Sequence, residues 1–138
     1  MNRRKLLVID DELFWHRLLK RLFDRDYDVC AAASCAEGVR MAAELRPDCI
    51  LLDFHLKDGD AVDVCNGLRN GGRELPSPVV VVSSDPEAEI ASYAECHAAY
   101  FVLKGSQTMT QLPTIVEKLL ANDGTISSEE EPGSEPSY

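Results

Sequence analysis

The chain has 138 residues, 45% of them apolar and 28% charged, with a formal net charge of −10. That length suits one domain with a single core, and the apolar fraction is too high for a wholly disordered chain. The negative charge argues against a nucleic-acid surface, and no run approaches the roughly 18 to 20 apolar residues of a membrane span.

The start, Met1 to Lys5, is basic, but only Leu6 to Ile9 follow before two aspartates intervene. This is too short for the apolar segment of a signal peptide, so a cytoplasmic address is expected. Leu6-Leu7-Val8-Ile9 is the first expected strand. Trp15, Leu18, Leu19 and Leu22 then recur at i, i+3, i+4, i+7 and predict a helix, with Arg17, Lys20 and Arg21 on its solvated face. Tyr27 to Ala31 is a weaker second strand that contains Asp28, which suits a sheet edge. Ser34-Cys35-Ala36-Glu37 reads as a capping box opening a helix that Pro47 closes. Cys49-Ile50-Leu51-Leu52 is the third strand, and Ala61, Val64, Cys65 and Leu68 mark the next helix. Val79 to Val82 is the fourth strand, followed by Asp85 as N-cap and Pro86 at a first helical position. Tyr100 to Leu103 is the fifth. Leu112, Ile115, Val116 and Leu119 predict a last helix, with Thr110 as its cap and Pro113 in its first turn.

Strand and helix alternate five times, and the strands are apolar at successive positions. Such runs are buried on both faces, as in a doubly wound α/β domain with one parallel sheet of five strands. The expected domain is 1–121, with a net charge of −5. Residues 122–138 carry five acids and no base among Ser, Pro and Gly, and are expected to form a flexible tail or linker. The five cysteines are odd in number and widely spaced, with no C-x-x-C pair, and are expected to be buried reduced thiols. His16 and His97 are expected on helix surfaces.

In an open parallel sheet the ligand site lies outside the carboxyl ends of the strands. The first strand ends in Asp10-Asp11, the third in Asp53, the fourth in Ser83-Ser84 and the fifth in Lys104. Converging carboxylates repel unless they share a proton or bind a cation, and oxygen-only ligands favour a partly hydrated Mg²⁺. A lysine and a hydroxyl beside that metal suit a phosphate group, and a carboxylate there can be a nucleophile that becomes an acyl phosphate. Asp53, alone at a central strand end, is the expected acceptor.

These residues resemble the receiver domains of two-component response regulators of the chemotaxis-regulator type, over residues 4 to 121. The resemblance rests on Asp10-Asp11, on Asp53 in Leu51-Leu52-Asp53-Phe54-His55-Leu56-Lys57-Asp58-Gly59, on Ser83, on Lys104, and on Phe101 three residues before that lysine. It implies a flavodoxin-like fold with strand order 2-1-3-4-5. It further implies Mg²⁺ held by Asp11, Asp53, the backbone carbonyl of His55 and, partly through water, Asp10. A histidine kinase or phosphotransfer protein would supply the phosphoryl group, and Ser83 and Lys104 would be drawn to the acyl phosphate. Phe101 would turn inward and alter the face of the fourth helix, fifth strand and fifth helix. That face would meet a downstream protein, an output domain or, after phosphorylation, a second copy. Ser84 is small enough to admit a phosphodonor, and His55 and Asp85 occupy positions that influence dephosphorylation.

Two departures stand out. Gly105 replaces the proline that often follows the lysine, and Leu56-Lys57 replaces Leu/Met-Pro after the acceptor. Both predict looser loops. A phosphorylation-independent receiver-like scaffold and a Mg²⁺-dependent phosphatase with an aspartyl nucleophile remain as alternatives to a non-enzymatic phosphoacceptor. The Asp10-Asp11 pair in place of D-x-D, and the lack of room for a cap, count against the phosphatase.

Overall fold

The computed structural model describes residues 3–121. Strand β1 (Lys5–Ile9) leads to helix α1 (Leu13–Phe23), β2 (Asp28–Ala32) to α2 (Cys35–Leu45), and β3 (Cys49–Leu52) to a two-residue ladder of β4 (His55–Leu56) and β5 (Gly59–Asp60). Helix α3 (Ala61–Arg69) follows, then β6 (Val79–Ser83), a 3₁₀ turn (Pro86–Ala88), α4 (Glu89–Ala94), β7 (Tyr100–Leu103) and α5 (Thr108–Ala121). The five long strands form one parallel sheet in the order β2-β1-β3-β6-β7. Without the short β4–β5 ladder this is the expected order 2-1-3-4-5. The acidic tail expected at 122–138 lies outside the described residues.

Continuous apolar strands are explained by two cores. Successive side chains on a strand point to opposite faces. Leu7, Ile9, Ile50, Leu52, Val79 and Val81 therefore pack under α2 and α3 with Ala42, Val64, Cys65 and Leu68. Leu6, Val8, Leu51, Val80, Val82 and Val102 face the other way, against Leu19 and Phe23 of α1 and Leu112 and Val116 of α5. Each fully buried Leu, Ile or Val contributes roughly 1.5–3 kcal/mol, so the central strands β1, β3 and β6 anchor the fold. Four of the five cysteines are buried, Cys30 is half-buried, and all are free thiols.

Close helix packing needs small residues at two points. A Cβ on Gly38 would lie 2.6 Å from Ile9 Cδ1, and one on Gly67 would lie 2.8 Å from Val39 Cγ2. These glycines let α2 approach β1 and α3.

Several boundaries differ from expectation for local reasons. Ser34 Oγ accepts the Glu37 amide, but the Glu37 carboxylate takes the amide of Ala33 rather than of Ser34, so the box is displaced by one residue. Helix α5 begins at Thr108, not after Thr110, and Pro113 therefore lies inside it. The reason is that Thr108 Oγ1 accepts the Gly105 amide and donates to the Leu103 carbonyl, which starts the turn two residues early. His16 is not a surface residue: its ring is half-buried, and Nε2 meets the backbone carbonyls of Asp10 and, at 3.1 Å, Ala32. His97 is exposed, but it sits after α4 in a left-handed conformation (φ 58°). Among the described residues, no helix is long and apolar enough to cross a membrane.

Candidate functional site

The parallel ladder assembles the site. Ile9 and Leu52 are register partners, and the pairing continues one residue further, where the Asp53 amide donates to the Ile9 carbonyl at 2.8 Å. On the other side of β1, the Asp10 amide donates to the Ala32 carbonyl at 3.0 Å. Asp10 and Asp53 are thus held side by side at the strand ends, 2% and 8% exposed. Asp11 joins them, and one carboxylate oxygen from each of the three lies within 4.8 Å of the others.

Lys104 arrives by the same logic from the far strand pair, with its amide donating to the Ser83 carbonyl at 2.9 Å. Its side chain is buried, and Nζ lies 2.8 Å from Asp10 Oδ2 and 3.3 Å from Asp53 Oδ2. A third carboxylate, Glu12, meets it at 3.1 Å, and the Trp15 ring centroid lies 4.9 Å away. Glu12 and Trp15 were not legible as site residues from sequence. The only sign was that Glu12 extends the acidic pair to three. Its amide donates to Asp10 Oδ1 at 2.8 Å, which fixes the Asp10 carboxylate.

One ammonium faces more carboxylates than it can neutralise. Burial and the adjacent Asp10 charge push the Asp53 carboxyl up to about 6, against the pull of Lys104. Burial alone would lower Lys104. The hydrogen bond and charge of Asp10, with Asp53 and Glu12, outweigh it and raise the ammonium above its ordinary value. Excess negative charge on hard oxygen donors fits a divalent cation, and Asp10, Asp11 and Asp53 are the residues able to hold it.

The remaining expected residues surround this centre. Ser83 is buried at the end of β6, where its Oγ accepts the Asp85 amide at 3.1 Å and, among the described residues, meets no acceptor for its own proton. Ser84 is exposed. His55 Nε2 lies 2.8 Å from Asp85 Oδ2, so a partly exposed pair bridges the loops that follow β3 and β6. The hydrogen bond from His55, with that from the Glu87 amide, holds the Asp85 carboxyl below its usual value. Phe101 does not reach the carboxylates. It is half-buried against the α2/α3-side core, and its amide donates to Tyr93 Oη at 2.9 Å.

The loop after Asp53 lacks the proline, but it is tied down. Asp58 accepts the amides of Cys35 at 2.8 Å and Ala36 at 3.2 Å, so it caps the N-terminus of α2 from across the site. These bonds, that of Cys35 first, lower the Asp58 carboxyl. The β4–β5 ladder and the Asp60–Asp63 capping box close the other end of the loop. The looseness expected of Leu56-Lys57 is offset by contacts that are distant in sequence. At Gly105 the amide donates to Thr108 Oγ1 at 2.7 Å, a bond a proline could not make.

Residues 6–117 match the family model of the response regulator receiver domain. The nitrate/nitrite response regulator protein homolog of Haemophilus influenzae is 30% identical over 131 residues, which is 93% of this chain and 62% of that protein. The transcriptional regulatory protein KdpE of Mycobacterium tuberculosis is 42% identical over 80 residues, 57% of this chain and 34% of that protein. The chain thus spans less than two thirds of the length of these curated relatives. Among solved structures, the signal receiver domain of a signal transduction histidine kinase from Syntrophus aciditrophicus superposes with a TM-score of 0.76. It is 26% identical, and the match covers 93% of this chain and 98% of that one.

Proposed function

Since this chain belongs to the response regulator receiver domain family, we propose that it is a phosphoacceptor whose acceptor is Asp53. The observation that carries this reading is Lys104 Nζ bridging Asp10 Oδ2 and Asp53 Oδ2 at 2.8 and 3.3 Å within a pocket of three carboxylates. An Asp53 oxygen attacks the phosphorus of a phosphohistidine on a histidine kinase or phosphotransfer protein. The N–P bond breaks, its electron pair returns to the imidazole, and an acyl phosphate forms on Asp53. Asp11, Asp53, the backbone carbonyl of His55 and, partly through water, Asp10 would hold Mg²⁺, which supplies charge to screen the phosphoryl oxygens. Lys104, already paired with Asp53, follows the new negative charge, and Ser83 donates its free hydroxyl proton to a phosphoryl oxygen. Ser84 leaves the approach open, while His55 and Asp85 tune the access of water.

The switch reading rests on connection through β7. Ser83 and Leu103 are register partners, and Phe101 lies two residues before Leu103 on the same strand. Its amide is tied to Tyr93 of α4, so movement at Ser83 is transmitted to the α4–β7–α5 face, with Phe101 as the turning residue. Ile90, Tyr93, Tyr100 and Leu103 are exposed there, which suits docking of a downstream protein, an output domain or a second phosphorylated copy. We read residues 1–121 as the receiver, acting in the cytoplasm without turnover of an external substrate.

The test is incubation with acetyl phosphate and Mg²⁺, read by intact mass and by hydroxylamine lability. A gain of about 80 Da, one phosphoryl group, that vanishes in Asp53→Asn is expected. Multiple turnover of simple phosphate esters would instead indicate a phosphatase. No adduct, together with no beryllofluoride-induced change, would indicate a phosphorylation-independent scaffold.

A further inference from the structure

The pole of the domain opposite Asp53 carries a second concave feature. A groove of about 660 Å³ is lined by the C-terminal halves of α2 and α3 and the segments that follow them. Val39, Ala42, Leu68 and Pro47 give it an apolar floor, and Arg40 and Arg46 stand on its wall. A neighbouring pocket of about 300 Å³ shares Pro76 and Ser77 with it and adds Arg69, Arg73 and His97.

In a chain of net charge −10, the lining of these two pockets is locally basic. Four arginines line the two pockets against Asp48 and Glu74, and one Asp48 oxygen is already taken by the Lys5 amide at 2.7 Å. Arg69 is engaged with the carbonyls of Glu95 and Cys96, and Arg40 forms an exposed pair with Glu44. The side chains of Arg46 and Arg73 have no partner among the described residues. Apolar floor and unneutralised guanidinium groups together suit an acidic peptide that also carries a few apolar residues.

Such a peptide is present in this chain. Residues 122–138 contain Asp123, Glu129, Glu130, Glu131 and Glu135 with no Lys or Arg, and also Ile126 and Pro132. We propose that this segment folds back onto its own domain and occupies the groove between α2 and α3, pairing its glutamates with Arg46 and Arg73. The geometry permits it. Each helix runs back against the parallel strands, so Ala121 at the end of α5 lies at the same pole as Arg46 and Asn70 at the ends of α2 and α3. Seventeen residues reach up to about 55 Å, and a domain of this size is about 35 Å across. Tethering raises the effective concentration of the segment to the millimolar range, so weak ion pairs suffice. The competing basic surface, Arg17, Arg21 and Arg25 on and after α1, is exposed, and its apolar neighbours Leu13 and Phe14 lie in the first turn of α1, at the pole of the acidic pocket rather than at that of Ala121.

The test is amide exchange read by mass spectrometry on the unphosphorylated full chain, so it is independent of the phosphoacceptor reading. At low salt, amides in 122–138 are expected to exchange at least fivefold slower than in a free synthetic peptide of the same sequence. Protection should vanish in 0.5 M NaCl, which screens such pairs within a few ångströms. It should also vanish in Arg46→Asn/Arg73→Glu and persist in Arg17→Glu/Arg21→Glu. Asparagine is chosen because Arg46 sits at φ 51°, a conformation asparagine tolerates. Exchange equal to the free peptide overturns the proposal. So does protection lost only in the α1 variant, or protection that rises with protein concentration, which would mark a second copy as the binding partner. Should Arg46→Asn/Arg73→Glu unfold, the salt response and the protection of Val39 to Arg46 in the wild type decide between the same outcomes.

Discussion

In metal-free protein, Asp53→Asn should raise stability even though it removes the proposed acceptor. Burial and Asp10 lift the Asp53 carboxyl from 3.8 to about 6, and its side chain is 9% exposed, so solvent screening offsets little. A shift of about two units corresponds to roughly 3 kcal/mol spent on ionising Asp53 in the folded state. Asparagine is nearly isosteric, carries no charge and still offers Lys104 an acceptor, so about 1–3 kcal/mol should be recovered near pH 7. For a domain of this size the melting temperature rises by roughly 4–10 °C. The sign with pH follows from a folded value above the unfolded one. The wild type suffers no penalty while Asp53 is protonated in both states, below about 3.8. The gap between variant and wild type opens as pH rises from 3.8 to about 6 and is constant above that. Urea and thermal unfolding in chelator, from pH 4 to 8, measure it. Saturating Mg²⁺ should narrow the gap, since the ion stabilises only the folded protein that binds it, by about 2.7 kcal/mol at a hundredfold excess over Kd. A variant less stable than wild type at pH 7 in chelator, or a gap that does not change between pH 4 and 7, would refute the argument.

Three further outcomes are expected. Gly38→Ala drives a methyl into Ile9 at 2.6 Å in a fully buried contact and should cost about 1–3 kcal/mol in urea unfolding, whereas Gly105→Ala meets nothing within 4 Å and should stay within about 0.5 kcal/mol. Asp58→Ala removes the cap that the loop after Asp53 places on α2, so the Cys35 and Ala36 amides should exchange faster with hydrogen-exchange NMR as the readout. His55→Ala breaks the bridge to Asp85 and should shorten the lifetime of phosphorylated Asp53 by no more than about fivefold, as befits an exposed pair, measured by loss of the mass adduct after acetyl phosphate is removed.

The alternation of apolar strands with 3.6-periodic helices was legible because burial on both faces leaves its mark on every residue of a central strand. Cys49–Leu52 and Tyr100–Leu103 coincide with the runs read from sequence. The edge position of β2 was legible too, since Asp28 interrupts its apolar run. Helix starts were less so. Thr110 and Thr108 are equivalent as residue types, and only the reach of Thr108 back to the Leu103 carbonyl and the Gly105 amide decides between them.

The acidic site was legible for a topological reason. A residue that follows a strand in a parallel sheet must emerge at the same edge as every other such residue, so Asp10, Asp11, Asp53, Ser83 and Lys104 could be grouped from their positions alone. Distances between elements were not available in that way. Lys104 bridging Asp10 and Asp53, with Glu12 and Trp15 closing over it, depends on how α1 is seated against the sheet. The His55–Asp85 bridge spans thirty positions in sequence, and the Asp58 cap on α2 spans 23. Hydrogen bonds between loops depend on side-chain directions set by the packed core, whereas strand ends depend only on periodicity and register. The sequence alone therefore determined which side chains reach the carboxyl edge of the sheet, and the tertiary structure decided how they are paired, charged and held there.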